Sequence, residues 1–262
     1  MDFPERVMKN GPWSISKAGV IEKCSLQFDY KYGLHKFKEL ATTQESQLGI
    51  VVHKVLEEAL GGMSVQMAFD YVLSMDGLTT QEMEDARSFY EQIERFVKRV
   101  EAFKVKHGVK HVFIEDKWGL THAFESTAFF DKTSFFRGVV DYAMFTKNRD
   151  LVIIDHKTGK EKELSYYEMQ FCAYAVMGLA QFPTMRGVQT AINFTATDNL
   201  RWNKFITAEQ IRDELRPRLV KHIIDSTAGL DEEPKATKGW YCDWCGYKAA
   251  CPAFGGTRPE NS

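Results

Sequence analysis

The sequence contains no long hydrophobic run. No stretch of about 18 or more apolar residues occurs in the chain, which excludes a membrane-spanning helix. Residues 1–6 have neither the basic start nor the apolar stretch of a secretory signal, so we expect a cytoplasmic protein. Disulfide bonds are not expected in that reducing compartment. Hydrophobic residues still make up 44% of the 262 residues, which excludes intrinsic disorder.

The sequence also has almost no net charge. Its 34 Lys and Arg nearly balance 36 Asp and Glu, and the formal charge of −2 gives no support to a general polyanion-binding role. Any surface for nucleic acid must therefore be local. Residues 95–111 form one basic stretch, and its ordinary interpretation is a solvated helix face. It becomes a candidate guide for DNA only beside a catalytic site.

The spacing of hydrophobic residues predicts an α/β fold. Apolar residues three and four positions apart predict helices at about 48–60 and 81–107. From residue 111 onward the period changes to two, which predicts an antiparallel meander. Its strands are predicted at 111–118, 122–130, 135–145 and 150–156. Two further strands are predicted near 188–194 and 200–206.

Local signals set the remaining boundaries. Residues 165–168 and 207–210 have the spacing of capping boxes and predict the starts of two later helices. No internal repeat occurs, and we predict a single domain over 1–262. We expect a helical insertion at about 63–107 and a disordered tail at 255–262.

Two neighbouring strands of the predicted meander each carry an aspartate. Asp141 lies in an otherwise apolar run, where an unpaired charge is costly. Side chains alternate along the next strand, so Asp155 and Lys157 share one face. If the two strands pair through the turn at 147–150, both aspartates come close enough to share a divalent cation. Lys157 would then stabilise charge on a scissile phosphate, and the pattern predicts metal-dependent phosphodiester hydrolysis.

Taken singly, each of these residues has an ordinary structural explanation, such as an ion pair at a strand end. Together, Asp141 and the run Asp-His-Lys-Thr-Gly at 155–159 resemble the PD-(D/E)XK nuclease superfamily. They resemble in particular its RecB-type branch, in which an aspartate strand is followed by D-x-K-T-G. Gly49 with His53 resembles the G-x-x-x-H motif of that family. Its Q-x-x-x-Y motif is matched in this sequence by Gln170 and Tyr174.

The resemblance covers nearly the whole chain and implies a restriction-endonuclease-like core, a mixed sheet flanked by helices. The catalytic residues that it implies are Asp141, Asp155, Lys157, Gln170 and Tyr174. The metal ligands that it implies are His53, Asp141, Asp155 and the backbone carbonyl of His156. An imidazole beside carboxylates suits Mn as well as Mg. Glu115 is a further candidate ligand, on its position in the meander alone.

Three of the five cysteines lie close together near the carboxyl end. Cys242, Cys245 and Cys251 provide one thiolate fewer than a closed site needs. Cys24 is the remaining donor, since Cys172 lies on the apolar face of a predicted helix and is expected to pack. This arrangement resembles RecB-type nucleases with an iron–sulfur cluster, such as AddB and the nucleases of CRISPR adaptation. The resemblance implies a 4Fe-4S cluster that staples the termini, and structural zinc is the alternative.

The aromatic residues of the iron–sulfur region 240–254 have two interpretations. They are Trp240, Tyr241, Trp244, Tyr247 and Phe254. We expect them to shield the cluster, and the alternative is that they stack on the bases of single-stranded DNA.

These observations predict a metal-dependent DNA exonuclease that acts on single-stranded DNA or DNA ends in recombination, repair or phage DNA metabolism. The expected partners are DNA and proteins of recombination or CRISPR adaptation, without a membrane. Three alternatives stay open. They are a CRISPR-adaptation nuclease that processes spacers, a non-catalytic DNA-binding subunit with a nuclease fold, and a zinc-stabilised interaction protein.

Overall fold

A computed structural model describes residues 3–33 and 44–257, with the side chains of residues 47 onward in the second range. Most of the predicted tail, residues 258–262, lies outside the described residues. The chain begins with a helical part: α1 (Glu5–Lys9), α2 (Ile15–Lys23), α3 (Ser25–Phe28), α4 (Gln44–Leu60), α5 (Val65–Leu73), α6 (Thr80–Arg87) and α7 (Tyr90–His107). In the described ranges, no helix has both the length and the apolar character needed to cross a membrane.

The second part of the chain contains the strands. They are β1 (His111–Leu120), β2 (Ser126–Ala128), β3 (Phe136–Phe145), β4 (Asp150–Lys157), β5 (Gly187–Phe194), β6 (Asn199–Trp202) and β7 (Ile206–Thr207). Three helices belong to this part: α8 (Glu168–Gln181), α9 (Ala208–Gln210) and α10 (Arg216–Ser226). The carboxyl end continues in three short 3₁₀ turns at Trp240–Trp244, Lys248–Ala250 and Pro252–Phe254.

All the strands belong to one seven-stranded sheet. Its order is β2-β1-β3-β4-β5-β6, with β7 paired to β5. The sheet is mostly antiparallel, but β4 and β5 run parallel and are joined across the sheet by α8, as a parallel pair requires. The mixed sheet flanked by helices is therefore confirmed. The simple meander is wrong in one respect, because the short β2 pairs with the outer edge of β1 and β3 pairs with its inner edge.

The two faces of the sheet are covered by different helices. On one face, the paired residues Ala143 and Ile153 belong to the core that contains the apolar side chains of α8 and α10. On the opposite face, Tyr142 and Ile154 pack into the core formed with α4, α5 and α7. Because side chains alternate along β3 and β4, neighbouring residues of each strand point to opposite faces and pack against different helices. The helices at about 63–107 share a core with the sheet.

Two of the predicted helices differ in the structure, one by a break and one at its start. The helix predicted at 81–107 is broken between α6 and α7, where the hydroxyl of Ser88 donates to the Asp85 carbonyl (2.6 Å) and competes with the helical pattern. Residues 165–168 form no capping box, because the chain enters α8 through a 3₁₀ turn and Glu168 pairs with Arg218 (2.6 Å). The capping box at 207–210 forms as predicted.

Candidate active site

The hairpin of β3 and β4 brings the two aspartates together at one end of the sheet. The strands pair from Phe145–Leu151 to Tyr142–Ile154, which confirms the predicted pairing through the turn at 147–150. Asp141, directly before Tyr142, and Asp155, directly after Ile154, lie next to that last pair. The carboxylate of Asp141 accepts a hydrogen bond from the backbone N–H of His156 (2.8 Å), so its side chain ties the two strands together.

Glu115 lies beside Asp141 on the neighbouring strand β1. The flanking pairs of this ladder are Ile114–Tyr142 and Asp116–Val140, which places Glu115 opposite Asp141. Its φ of 47° is in the left-handed region, a conformation that costs roughly 1–3 kcal/mol in a residue other than glycine and that is frequent at functional sites. Burial, followed by the charge of Glu57, raises the pKa of Glu115.

His53 approaches the same point from α4. Its Nε2 lies 3.0 Å from the carbonyl oxygen of His156, and its Nδ1 lies 3.6 Å from Oδ2 of Asp141. Because a carbonyl only accepts hydrogen bonds, we assign the proton to Nε2, which leaves the lone pair of Nδ1 facing the carboxylate. Burial lowers the pKa of His53, so the imidazole is neutral at pH 7.

Gly49 explains how α4 comes so close to the sheet. It lies one helical turn before His53, and a Cβ at this position would lie 3.3 Å from Oγ1 of Thr158 in the loop after β4. That contact is tighter than an ordinary van der Waals contact, so glycine favours this approach. The spacing of the G-x-x-x-H motif therefore has a packing reason in this fold.

The three side chains around this point form a donor set that fits a divalent cation. One ligand atom from each of His53, Glu115 and Asp141 lies within 4.8 Å of the others. Burial, followed by the charge of Asp155, raises the pKa of Asp141 well above its ordinary value. A cation would offset this crowding of carboxylates, and one imidazole with two carboxylates suits Mg or Mn.

Two of the predicted metal ligands have other contacts in this structure. The carbonyl of His156 is within hydrogen-bond distance of His53, and Asp155 does not belong to the three-residue group. Asp155 is 2% exposed and faces α8. Its Oδ1 accepts hydrogen bonds from Gln170 Nε2 (2.6 Å) and from the hydroxyl of Tyr174 (2.8 Å). Gln170 also donates to that hydroxyl (2.8 Å), so the Q-x-x-x-Y pair holds the carboxylate in place.

Lys157 completes the network around Asp155. Its Nζ lies 2.5 Å from Oδ2 of Asp155. Burial lowers the pKa of Lys157, but the charge of Asp155, its hydrogen bond and the charge of Asp141 together outweigh burial, so the net direction is upward and the side chain is an ammonium. Lys157, Asp155 and Asp141 line a cavity of about 930 Å³ that opens to solvent. The arrangement places a cation beside carboxylates at the base of a cleft large enough for a nucleotide.

Three further residues that line this cavity belong to no sequence motif. They are Lys17, Phe129 and Arg137. A possible signal was the pair Phe129-Phe130, because two adjacent aromatic residues are unusual in a turn that continues with Asp131, Lys132 and Thr133.

The basic stretch 95–111 is largely occupied by ion pairs. Arg95 and Arg99 both bind Asp198. Lys98 pairs with Glu94 and Lys104 with Glu101. The stretch is therefore a solvated helix face, and the structure gives no support to a role in guiding DNA.

The four cysteines assigned to a cluster line one pocket. Cys24 contributes from the amino-terminal helices, and Cys242, Cys245 and Cys251 from the 3₁₀ turns. Cys172 is buried elsewhere, as predicted, with its thiol 3.2 Å from the Leu215 carbonyl.

The aromatic residues near this pocket fall into two groups. Tyr241, Tyr247 and Phe254 line it. Trp240 and Trp244 do not line it and are 68% and 57% exposed, so the expected shielding is wrong for these two residues. Their rings contact each other instead, with centroids 5.9 Å apart.

Comparisons with known proteins agree with the geometry. A family model described as the PD-(D/E)XK nuclease superfamily matches residues 12–252. No curated protein matches the sequence. Among solved structures, a candidate exonuclease from Eubacterium rectale is 12% identical with a TM-score of 0.50, over 100% of this chain and 96% of that chain. The protein SSO0001 is 14% identical over 87% of this chain and 94% of that chain, with a TM-score of 0.34. At such identities the first likeness concerns the fold alone.

Proposed function

Because the chain belongs to the PD-(D/E)XK nuclease superfamily, we propose that it is a metal-dependent DNA exonuclease. One observation carries the proposal. The ion pair of Lys157 with Asp155 lies at the base of an open cavity, one strand away from the group of His53, Glu115 and Asp141. Phosphodiester hydrolysis uses both parts, a cation beside the phosphate and a site for a divalent metal.

The metal would be held by His53, Glu115 and Asp141, with Asp155 on the adjacent strand. Nucleases of this superfamily generally use divalent metals. When bound, such an ion screens the negative charge of the phosphate and lowers the pKa of water. Of the four residues, only Glu115 does not belong to a family motif in this sequence.

The side chains of the protein have separate roles in this proposal. Lys157 is the catalytic cation, and its ammonium stabilises the charge that develops on the phosphate oxygens. Gln170 and Tyr174 act through Asp155, since both donate to its Oδ1. We therefore assign them as positioning residues, which keep the carboxylate and the paired lysine in one geometry before the substrate arrives.

Degradation of end-labelled DNA tests this function. Wild-type protein, purified without oxygen, is incubated with single- and double-stranded DNA and either Mg or Mn, beside Asp155→Asn and Lys157→Met. We expect the wild type to shorten DNA and each variant to lose about 100- to 1,000-fold of the rate. Asp150→Asn is the matched control, because Asp150 lies at the opposite end of the same strand and pairs with Arg186 (2.8 Å).

The outcomes separate the nuclease from its main alternative. If the wild type and both variants are equally inactive while the cluster is present, the standalone enzyme is contradicted in favour of a partner-dependent or purely DNA-binding role. If Asp150→Asn loses as much activity as Asp155→Asn, the assignment of the site is wrong. The labelled end that disappears first reports the polarity of cleavage.

We also propose that Cys24, Cys242, Cys245 and Cys251 bind a 4Fe-4S cluster. Four thiols around one pocket supply the donor set that such a cluster takes. Burial and, more weakly, the charges of the other three cysteines raise the pKa of Cys245, which is consistent with their proximity. A tetrahedral zinc site with Zn–S bonds of about 2.3 Å needs sulfur atoms only about 3.8 Å apart.

The spacing of the thiols favours the cluster over zinc. Over residues 3–33 and 44–257, no three cysteine sulfurs all lie within 4.8 Å of one another. A cuboidal cluster binds each thiolate through a different iron, so it accepts a wider ring of cysteines than a single ion does.

A further inference from the structure

The turn between β2 and β3 carries two adjacent phenylalanines near the catalytic cavity. Phe130 is 76% exposed, while Phe129 is half-buried. Their rings meet edge to face, with centroids 5.0 Å apart. A single exposed apolar side chain needs no explanation. A pair of aromatic rings held in a fixed arrangement at the edge of a cleft is a more specific feature.

Two cations flank this aromatic pair. The guanidinium carbon of Arg137 lies 5.3 Å from the ring centre of Phe129 and 5.9 Å from that of Phe130. On β1, Nζ of Lys117 lies 5.7 Å from the ring centre of Phe130. Cation–π contacts of this kind contribute about 0.5–1 kcal/mol each at an exposed site. The rings thus lie beside two positive charges, which would attract the phosphates of a polyanion.

The orientation of Arg137 is set by the turn itself. Its Nε donates to the hydroxyl of Ser134 (3.1 Å), and its Nη2 donates to the carbonyl of Asp131 (3.4 Å). A guanidinium held in this way loses less side-chain freedom on binding than a free one would.

Arg137 also connects the aromatic pair with the nuclease site. It lines the catalytic cavity together with Phe129, and it lines a neighbouring groove of about 660 Å³ together with Phe130. Along β3 the backbone distance from Arg137 to Asp141 is about 13 Å at 3.3 Å per residue. A strand with its scissile phosphate at Lys157 would therefore reach the phenylalanines within a few nucleotides.

We propose that Phe129, Phe130 and Arg137 form a stacking platform for the unpaired bases of a single-stranded DNA substrate. The proposal rests on the proposed nuclease function and names the form of its substrate. In a duplex the faces of the bases are covered by their neighbours, so a phenyl ring binds only a base that is free. Stacking on an aromatic side chain is typically sequence-tolerant, and the flanking cations hold the backbone.

Binding in the absence of divalent cations tests the platform separately from hydrolysis. A fluorescent oligothymidine is titrated with wild type, Phe130→Ala and Phe130→Trp in EDTA, and its anisotropy is measured. We expect Phe130→Ala to bind the single strand about 5- to 150-fold more weakly than the wild type. Phe130→Trp should retain the affinity of the wild type, because it keeps an aromatic ring at this position. Binding of a blunt duplex should change less than twofold. Arg137→Gln should weaken binding and reduce the salt slope by about 1.

Tyr71→Ala is the matched control, because Tyr71 is an exposed aromatic residue on α5, over the other face of the sheet. Equal affinity of Phe130→Ala and wild type for the single strand would overturn the platform, and so would equal losses for strand and duplex. Tighter binding of RNA of matched sequence would overturn the assignment to DNA. If the wild type binds as expected but never cleaves, the nuclease function fails and the platform stands.

Discussion

The candidate catalytic cavity, lined by Asp141, Asp155 and Lys157, and the cysteine pocket are held together in different ways. Asp155 and the residues around it lie on β4 and α8, whose neighbouring side chains fill the main core. The cysteine pocket is built from short 3₁₀ turns against the amino-terminal helices, and its buried core consists of Leu26, Tyr30 and Tyr247. Apolar burial supports the first region, whereas the second has a much smaller buried core.

This difference predicts different consequences for substitutions in the two regions. A change at the catalytic cavity should lower the rate of hydrolysis while the core keeps the fold. A change at the cysteine pocket should lower the stability, because a ligated cluster would join Cys24 to the carboxyl end across most of the chain.

The largest effect on stability is expected for Cys251→Ser. A crosslink that closes so long a loop is worth roughly 5 kcal/mol in the chain-entropy model. We expect the free energy of unfolding to fall by several kcal/mol and the bound iron and acid-labile sulfide to be lost together. Denaturant unfolding and metal analysis of anaerobically purified protein measure both quantities.

Cys172→Ser provides the matched control for that experiment. Cys172 is a buried cysteine outside the pocket, so its replacement should leave the iron content unchanged. Zinc in place of iron and sulfide in the wild type would contradict the cluster while keeping the staple. Equal stabilities of wild type and Cys251→Ser would contradict the staple itself.

A moderate effect is expected for Tyr174→Phe, compared with Tyr142→Phe. Both tyrosines are buried, on opposite faces of the sheet. The hydroxyl of Tyr174 binds Asp155 and Gln170, so its removal should cost about 1–3 kcal/mol of stability. If it positions Asp155, the rate of hydrolysis should also fall about tenfold, which corresponds to about 1.4 kcal/mol.

Tyr142→Phe should have neither effect. Among the described residues the hydroxyl of Tyr142 has no hydrogen-bond partner, so its removal leaves no group unpaired and relieves a buried polar atom. Urea unfolding and single-turnover cleavage of labelled DNA compare the two variants. Equal losses of activity in both would show that Tyr174 has only a packing role.

The geometry of the candidate catalytic cavity was largely predictable from the sequence because its residues lie on regular elements. The two-residue period gave the hairpin of β3 and β4, and with it the approach of Asp141 to Asp155. The partners of Asp155 on α8 followed from the resemblance to a nuclease motif and from the helical spacing of Gln170 and Tyr174. These positions depend on local geometry that repeats along a strand or a helix.

The remaining features depend on contacts that the spacing of hydrophobic residues along the sequence does not predict. Glu115 faces the candidate metal group through the pairing of β1 with β3 and through a left-handed backbone at a position where its sequence neighbours read as an ordinary strand. The position of β2 at the sheet edge is also a tertiary outcome. Arg137 and Phe130 belong to no motif, and only the shape of the cavity connects them with Lys157.

The smallest effect is expected for Thr79→Ala, at a helix start away from both regions. Thr79 caps α6 through a reciprocal capping box: its hydroxyl oxygen accepts from the N–H of Glu82 (3.2 Å), and the Glu82 carboxylate accepts from the N–H of Thr79 (2.7 Å). We expect a loss of about 1 kcal/mol in the free energy of unfolding and less than a twofold change in hydrolysis.

The pH dependence of this variant checks the mechanism of the cap. Hydrogen bonds from the backbone N–H and then the hydroxyl of Thr79 lower the pKa of Glu82. A carboxyl group with a lowered pKa in the folded state stabilises the protein above its ordinary pKa, and this contribution is lost as the pH falls through the lowered value. Residue 79 keeps its backbone N–H in Thr79→Ala, so only the hydrogen bond from the hydroxyl to Glu82 (2.8 Å) is lost. The stability difference between wild type and Thr79→Ala should therefore shrink slightly in acid, as measured by urea unfolding at neutral and acidic pH. A difference that stays constant would assign the effect to the hydroxyl cap alone.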